Sequence, residues 1–299
     1  MADNRNAPGG EGRVLSIRRG IYEVETPQGI LKCRAATSMR KKEGRILAGD
    51  VVNYTENGIE GGFITALCQR RNSFVRPPAA NVDLLVITVS PREPEPYLYN
   101  VDLLSVIAAK CGVECLLIIT KADLGGAAEI AAIYEKTPVK AIITSAATGE
   151  GISSARDALK GKVCLLCGAS GVGKSSLLNA MYPQFRAETG ELSEKIMRGR
   201  NTTRVTELHP AGDGTYIADS PGFTAVDTEL YCEIDHKELQ YLFGEFAQYA
   251  GGCRYLDCTH TKETECGVAR AAAEGYISPS RLESYKKLYT ELKNIDRYK

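Results

Sequence analysis

From Gly12 to Leu67 apolar and polar positions alternate in short bursts, "RVLSI", "IYEVET", "ILKCRA", "DVVNYT" and "GFITAL", with turn residues between them. Period-two alternation puts every second side chain on one face, so each burst reads as a short half-buried strand. Five strands in so short a segment predict a small barrel of the OB type, a frequent platform for oligonucleotides; an SH3-like barrel fits nearly as well.

The period changes after "RPPAANVD" (Arg76 to Asp83), which reads as a linker because its prolines cannot extend a central strand. "DLLVITVS", "ECLLIIT", "KAIITSA" and "KVCLLCG" are near-continuous apolar runs, as strands buried on both faces are. "VDLLSVIAAKCG" between the first two is a helical pattern closing on Gly112. Strand and helix alternate on to "GTYIADSPG", which predicts a doubly wound α/β domain. The remainder is helical: one helix over "HKELQYLFGEFAQYAG", a Cys/His-rich turn, and a last helix over "SPSRLESYKKLYTELKNIDRYK". The expected layout is a loose tail over 1–11, a barrel over 12–70, the α/β domain over 71–235 and a helical domain over 236–299.

Composition changes this picture little. Net charge is zero and no run of eighteen apolar residues occurs, so neither a nucleic-acid footprint nor a membrane span follows from bulk numbers. Locally the first quarter is basic, in "RVLSIRRG", "MRKKEGR" and "QRRNSFVR". The polar, Gly-rich start carries no apolar signal region, which points to the cytoplasm. Ten cysteines at scattered spacing then argue for thiols or metal ligands rather than a disulfide framework.

The chemistry begins with "GASGVGKS", a full G-x-x-x-x-G-K-[ST] loop placed between an apolar strand and a helix. Gly168, Ala169, Ser170, Gly171, Val172, Gly173, Lys174, Ser175 and Ser176 form the expected phosphate-binding set. Its backbone N–H groups and the helix dipole face the phosphate oxygens, with Lys174 reaching the β- and γ-phosphates and Ser175 on Mg²⁺. "DSPG" at a strand end gives Asp219 as a second Mg²⁺ holder and Gly222 as the γ-phosphate sensor. "RGRNTTR" between them supplies a candidate switch at Thr202 or Thr203.

Base choice is read from "TKAD". Thr120, Lys121 and Asp123 match the guanine motif N-K-x-D with Thr in place of Asn. The Asp carboxylate accepts from guanine N1–H and its 2-amino group, a donor pair that adenine lacks. "TSA" then offers Ser145 and Ala146 for the loop whose N–H meets guanine O6. The base-reading elements therefore precede the phosphate-reading ones, the reverse of the usual order, as joining old termini and cutting elsewhere would produce. Finally Cys253, Cys258, His260 and Cys266 form C-x4-C-x-H-x5-C, a closed three-thiolate, one-imidazole set suited to structural zinc. Cys164 and Cys167 lie on the strand entering the phosphate loop and read as core.

With the permuted order, the zinc spacing and the stretches "RRNSFVRP", "ANVD", "GRNTTR" and "DSPGF", the chain resembles the RsgA family of circularly permuted GTPases over nearly its whole length. The resemblance implies an OB barrel contacting ribosomal RNA, a GTPase domain using GTP/GDP and Mg²⁺, and a C-terminal domain with one zinc. It further implies a cytoplasmic monomer acting late in maturation of the small (30S) ribosomal subunit, with that subunit and its 16S rRNA as partners. Asn201 stands where many such members carry His, and Phe223 follows Gly222 where a Ras-like enzyme has a water-orienting Gln. Slow intrinsic hydrolysis, accelerated when a partner orders Asn201 to Thr203, is therefore expected. Whether Lys286, Lys287, Arg297 and Lys299 on the last helix touch RNA or face water is open, with water favoured.

Overall fold

A computed structural model describes residues 9–35, 44–57, 61–75, 77–185, 206–219 and 234–296. The five alternating segments form β1 (Gly9–Arg18), β2 (Ile21–Thr26), β3 (Gly29–Ala35), β4 (Val51–Glu56) and β5 (Gly62–Leu67), closed in the order β1-β2-β3-β5-β4. β1 pairs antiparallel with β4, and β3 runs parallel to β5, which is the OB arrangement. Alternation sends Val14, Tyr22, Val24, Cys33, Val52, Tyr54 and Ile64 inward. Outside, the register sets Arg18, Ile21, Arg34 and Phe63 side by side across four strands. The tight β1–β2 turn needs positive φ at both Arg19 (51°) and Gly20 (81°), the twist that suits a two-residue hairpin.

Several of the basic residues are already engaged. Arg70 grips the buried Asp50 with two hydrogen bonds of 2.6 Å, Arg71 pairs with Asp83 at 2.8 Å, and Arg18 with Glu207 at 2.7 Å. The stretch expected to be a linker is also held. β6 (Ser73–Phe74) pairs with β7 (Ala79–Ala80), and Ala79, Ala80 and Val82 are buried. The prolines do bar a longer strand there, but small alanines let the backbone pack close.

The α/β part is a sheet of β8 (Leu84–Val89), β9 (Glu114–Ile119), β10 (Lys140–Ile143), β11 (Val163–Gly168), β12 (Leu208–Gly212) and β13 (Thr215–Asp219), in the order β10-β9-β8-β11-β13-β12. β8 and β11 are buried at every residue, as their unbroken apolar runs require. Strand–helix alternation fails between β12 and β13, which pair antiparallel across an Asp213–Gly214 turn with positive φ at both residues. The helices here are α1 (Leu98–Lys110), α2 (Ala127–Tyr134), α3 (Ile152–Leu159) and α4 (Lys174–Met181). Cys164 and Cys167 are core as expected, and burial pushes the Cys164 thiol up to about 12.

The C-terminal part holds α5 (Leu239–Leu242), a 3-10 turn (Gly244–Phe246), α6 (Ala247–Ala250), α7 (Gly267–Ala273) and α8 (Pro279–Asp296). The single helix expected over "HKELQYLFGEFAQYAG" is thus broken. Phe243 leaves helical geometry at φ −90°, ψ 81°, and a Cβ on Gly244 would lie 2.7 Å from Pro138 Cγ. Burying Phe243 and Phe246 against Tyr285 outweighs the lost helical hydrogen bonds.

A buried ion cluster fastens this part to the nucleotide-binding helices. Arg281 on α8 donates to Glu245 (2.8 and 3.2 Å), to Asp102 (2.8 Å) and to Ser105 (3.2 Å), and its guanidinium lies 4.5 Å from the Phe243 ring centre. Tyr134 on α2 donates to the same Asp102 oxygen at 2.9 Å. By contacts the described residues form two compact units. One comprises the residues up to Asp83, Leu159–Leu165 and the β12–β13 hairpin; the other holds the remainder. Among the described residues no helix is long and apolar enough to cross a membrane.

Candidate nucleotide and metal sites

The phosphate loop leaves buried β11 at Gly168, where a side chain has no room: a Cβ would fall 2.1 Å from Thr88 Oγ1 and 2.6 Å from Thr88 O. Thr88 cannot readily swing aside, since its hydroxyl donates to Cys167 O at 2.8 Å. Gly168→Ala is accordingly expected to destabilise the protein by about 1–3 kcal/mol, the cost of overpacking a core. Urea midpoints would measure it. Adding Thr88→Ala should restore only part of the loss, because the carbonyl stays. Gly171 and Gly173 take positive φ (82° and 97°) and turn the chain into α4. The Lys174 ammonium lies within the loop, donating to Gly168 O and Ala169 O at 2.8 Å each. Ser175 is half-buried in the first turn of α4, while Ser170 and Ser176 are exposed.

The base motif meets this loop. A Cβ on Gly173 would sit 3.7 Å from both Lys121 Cε and Thr120 Oγ1, so residues fifty positions apart in sequence share one wall. Thr120, buried, shares its one hydroxyl proton between Val89 O (3.0 Å) and Val172 O in the phosphate loop. One hydroxyl thus ties the end of β9 to both β8 and the phosphate loop. Asp123 accepts from Ser145 Oγ at 2.5 Å, and Ala122 N donates to Thr144 O at 3.0 Å, tying the two base loops together. Ala146 is exposed beside them.

Asp219 ends β13 in backbone; nothing further is described of its side chain. Asn201, Thr202, Thr203 and Gly222 lie outside the described residues, as does Phe223. Two contacts of the site had no sequence signal. One is the carbonyl of Glu93, which accepts from Lys121 Nζ at 2.5 Å; backbone acceptors leave no mark on composition. The other, Gln240, belongs to the metal site.

There Cys253, Cys258, His260 and Cys266 bring four ligand atoms within 4.8 Å of one another. Cys253 Sγ to Cys266 Sγ is 3.9 Å, and His260 Nδ1 lies 3.5 and 3.3 Å from those sulfurs. A tetrahedron with metal–sulfur bonds of about 2.3 Å has edges of about 3.8 Å, so the cluster fits zinc. His260 Nε2 faces Gln240 Oε1 at 3.1 Å, which fixes the tautomer and aims Nδ1 at the cluster. Burial lowers the His260 pKa, disfavouring the charged ring. Burial opposes ionisation of Cys253, but N–H groups of Gly267 and Val268 outweigh it and lower that thiol.

A family model for the RsgA GTPase matches residues 67–229, more than half of the chain. The chain belongs to the RsgA GTPase family. It is 38% identical over 294 residues to the small ribosomal subunit biogenesis GTPase RsgA of Caldanaerobacter subterraneus subsp. tengcongensis, covering 97% of this chain and 98% of that protein. The RsgA of Geobacillus thermodenitrificans is 36% identical, over 95% and 97% of the two chains. YjeQ from Thermotoga maritima superposes with a TM-score of 0.79 at 33% identity, over 95% of this chain and 99% of that one. YloQ, described as a circularly permuted GTPase, gives 0.75 at 26% identity over 98% of each. Membership of the RsgA family makes the chain a GTP hydrolase on a circularly permuted fold, with a Cys/His cluster that can bind metal.

Proposed function

We propose that this chain is a GTP-driven switch in late maturation of the small (30S) ribosomal subunit, cytoplasmic and monomeric, with the subunit and its 16S rRNA as partners. The observation that carries the nucleotide half is the meeting of Thr120 and Lys121 with the phosphate loop at Gly173. The partner is proposed from the names of the full-length relatives.

In this reading Asp123 and the Ser145–Ala146 loop select guanine, and Lys121 lies along the base. Residues 168–176 hold the phosphates, with Lys174 countering charge that develops on the β- and γ-oxygens. Ser175 and Asp219, both oxygen donors, suit Mg²⁺, which supplies charge neutralisation when bound. Asn201, Thr202 and Thr203 form the switch, and Gly222 senses the γ-phosphate. Phe223 cannot orient water, so the free enzyme is slow until the subunit orders the switch. Cys253, Cys258, His260 and Cys266 hold one structural Zn²⁺. RNA contact is assigned to the outer barrel face, where the exposed Arg34 lies in register with half-exposed Phe63 and the exposed Lys32 shares its face of β3.

The test is GTP turnover with and without purified small subunits, with Ser175→Ala as the blank. A rise of about tenfold or more, absent with large subunits or free RNA, is expected. An unchanged rate, with subunit binding intact whichever nucleotide is present, would overturn the switch and favour an RNA-binding scaffold whose nucleotide is structural.

A further inference from the structure

Lys121, the lysine of the base motif, is not held by its own strand end alone. It sits at positive φ (51°), and its ammonium is caught by the Glu93 carbonyl, itself on a residue at φ 50°. Glu93 belongs to the loop that joins β8 to α1. Within it Ser90 Oγ bonds the Arg92 carbonyl, and Tyr97 caps α1 without a side-chain bond to the helix. A cavity of about 100 Å³ opens beneath, lined by Pro94, Tyr97, Asn100, Val101, Gly168 and Ala169 among others. The loop therefore has room to shift against the phosphate loop, and something must fix where it rests.

That something is the C-terminal helix. Lys287 on α8 donates to Tyr97 Oη at 2.8 Å and places its ammonium 4.0 Å from the Tyr99 ring centre. Tyr99 Oη in turn donates to Glu291, one turn further along α8. Arg281 grips Asp102 and Ser105 further along α1, so α8 clamps α1 at both ends of a stretch of about two turns. Lys287 is exposed, and its ammonium engages the two tyrosines while facing water.

We propose that Lys287 is a positioning residue for the base site: through Tyr97 and Tyr99 it sets the loop that carries Glu93, and through Glu93 the seat of Lys121. The inference rests on the reading that Lys121 lies along the guanine base. It makes α8 and guanine nucleotide energetically coupled, by a route independent of the switch. Linkage is reciprocal, so a partner that grips the Lys287–Tyr97 face changes nucleotide affinity, and nucleotide changes its affinity in return.

The test is the release rate of a fluorescent GDP analogue from the full chain, in a double-mutant cycle of Lys287→Met and Lys121→Met. Lys287→Met keeps the apolar stem and removes the charge; it should speed release about two- to fivefold, the scale of an exposed cation–π contact. Lys287→Arg should restore the rate, and the melting temperature should hold in both. In the Lys121→Met background, Lys287→Met should have no further effect, whereas a purely structural role would persist there unchanged. Equal release rates for wild type and Lys287→Met, with Lys121→Met still weakening binding, would overturn this inference alone. No effect of Lys121→Met would overturn the base-site reading with it.

Discussion

Arg281→Met is expected to lower the unfolding free energy by about 3–5 kcal/mol, the cost of breaking one side of a buried ion cluster. The guanidinium is 1% exposed and is the sole cation among the groups it bonds, Asp102, Glu245 and Ser105. Burial opposes its charge, and the two carboxylates more than restore it, so its pKa is raised. Removing it leaves two buried carboxylates with no compensating cation, and takes from Glu245 Oε1 and Oε2 the donors they had. Asp102 already has one oxygen, Oδ2, without a hydrogen-bond partner among the described groups. Urea unfolding would read the loss as a fall in midpoint. Adding Asp102→Asn and Glu245→Gln should recover part of it, because neutral amides remove the uncompensated buried charge. A loss under about 1 kcal/mol would show that the cluster is not the fastening of α8 to α1.

Removing the zinc proposed for the Cys/His cluster is expected to have the second large effect. Structural zinc contributes about 10–16 kcal/mol in small zinc-binding units, comparable with or above the 5–15 kcal/mol that holds a typical domain. Here the cluster is the centre of the C-terminal packing: Phe246 and Tyr285 lie around the His260 ring, and Tyr285 Oη donates to Thr259 O at 2.8 Å. Without the metal, Cys258, Cys266 and His260 remain buried with no cation between them. A strong chelator, or Cys258→Ser, should lower the melting temperature by about 10 °C or more and release one zinc per chain in a colorimetric assay. Loss of zinc with an unchanged melting curve would mean that the aromatic cluster alone carries this part of the fold.

The sequence and the structure divide the work along a physical line. Local periodicity determined the five barrel strands, the buried runs of β8, β9 and β11, and the helices α1 and α8, because side-chain alternation is a property of neighbouring residues. Motif spacing determined the phosphate loop, and the four Cys/His positions came out together as one cluster. Spacing was informative there because ligands a few residues apart can close on one point without help from the rest of the chain. What required long-range burial was illegible. The helix expected around Phe243 breaks because an aromatic core claims that residue, and the expected linker is held because Ala79 and Ala80 meet Ala48 and Gly49, far earlier in the chain. Nothing local distinguishes Arg281 from the other charges of its helix, and only the approach of α1 turns it into a buried tie. Thr120 read as a flaw in the base motif, yet folding brings the Val172 carbonyl to its hydroxyl. The sequence by itself determined which chemistry the chain carries; tertiary structure decided what holds each group in place, since a hydrogen-bond partner such as the Glu93 carbonyl exists only once the chain has folded.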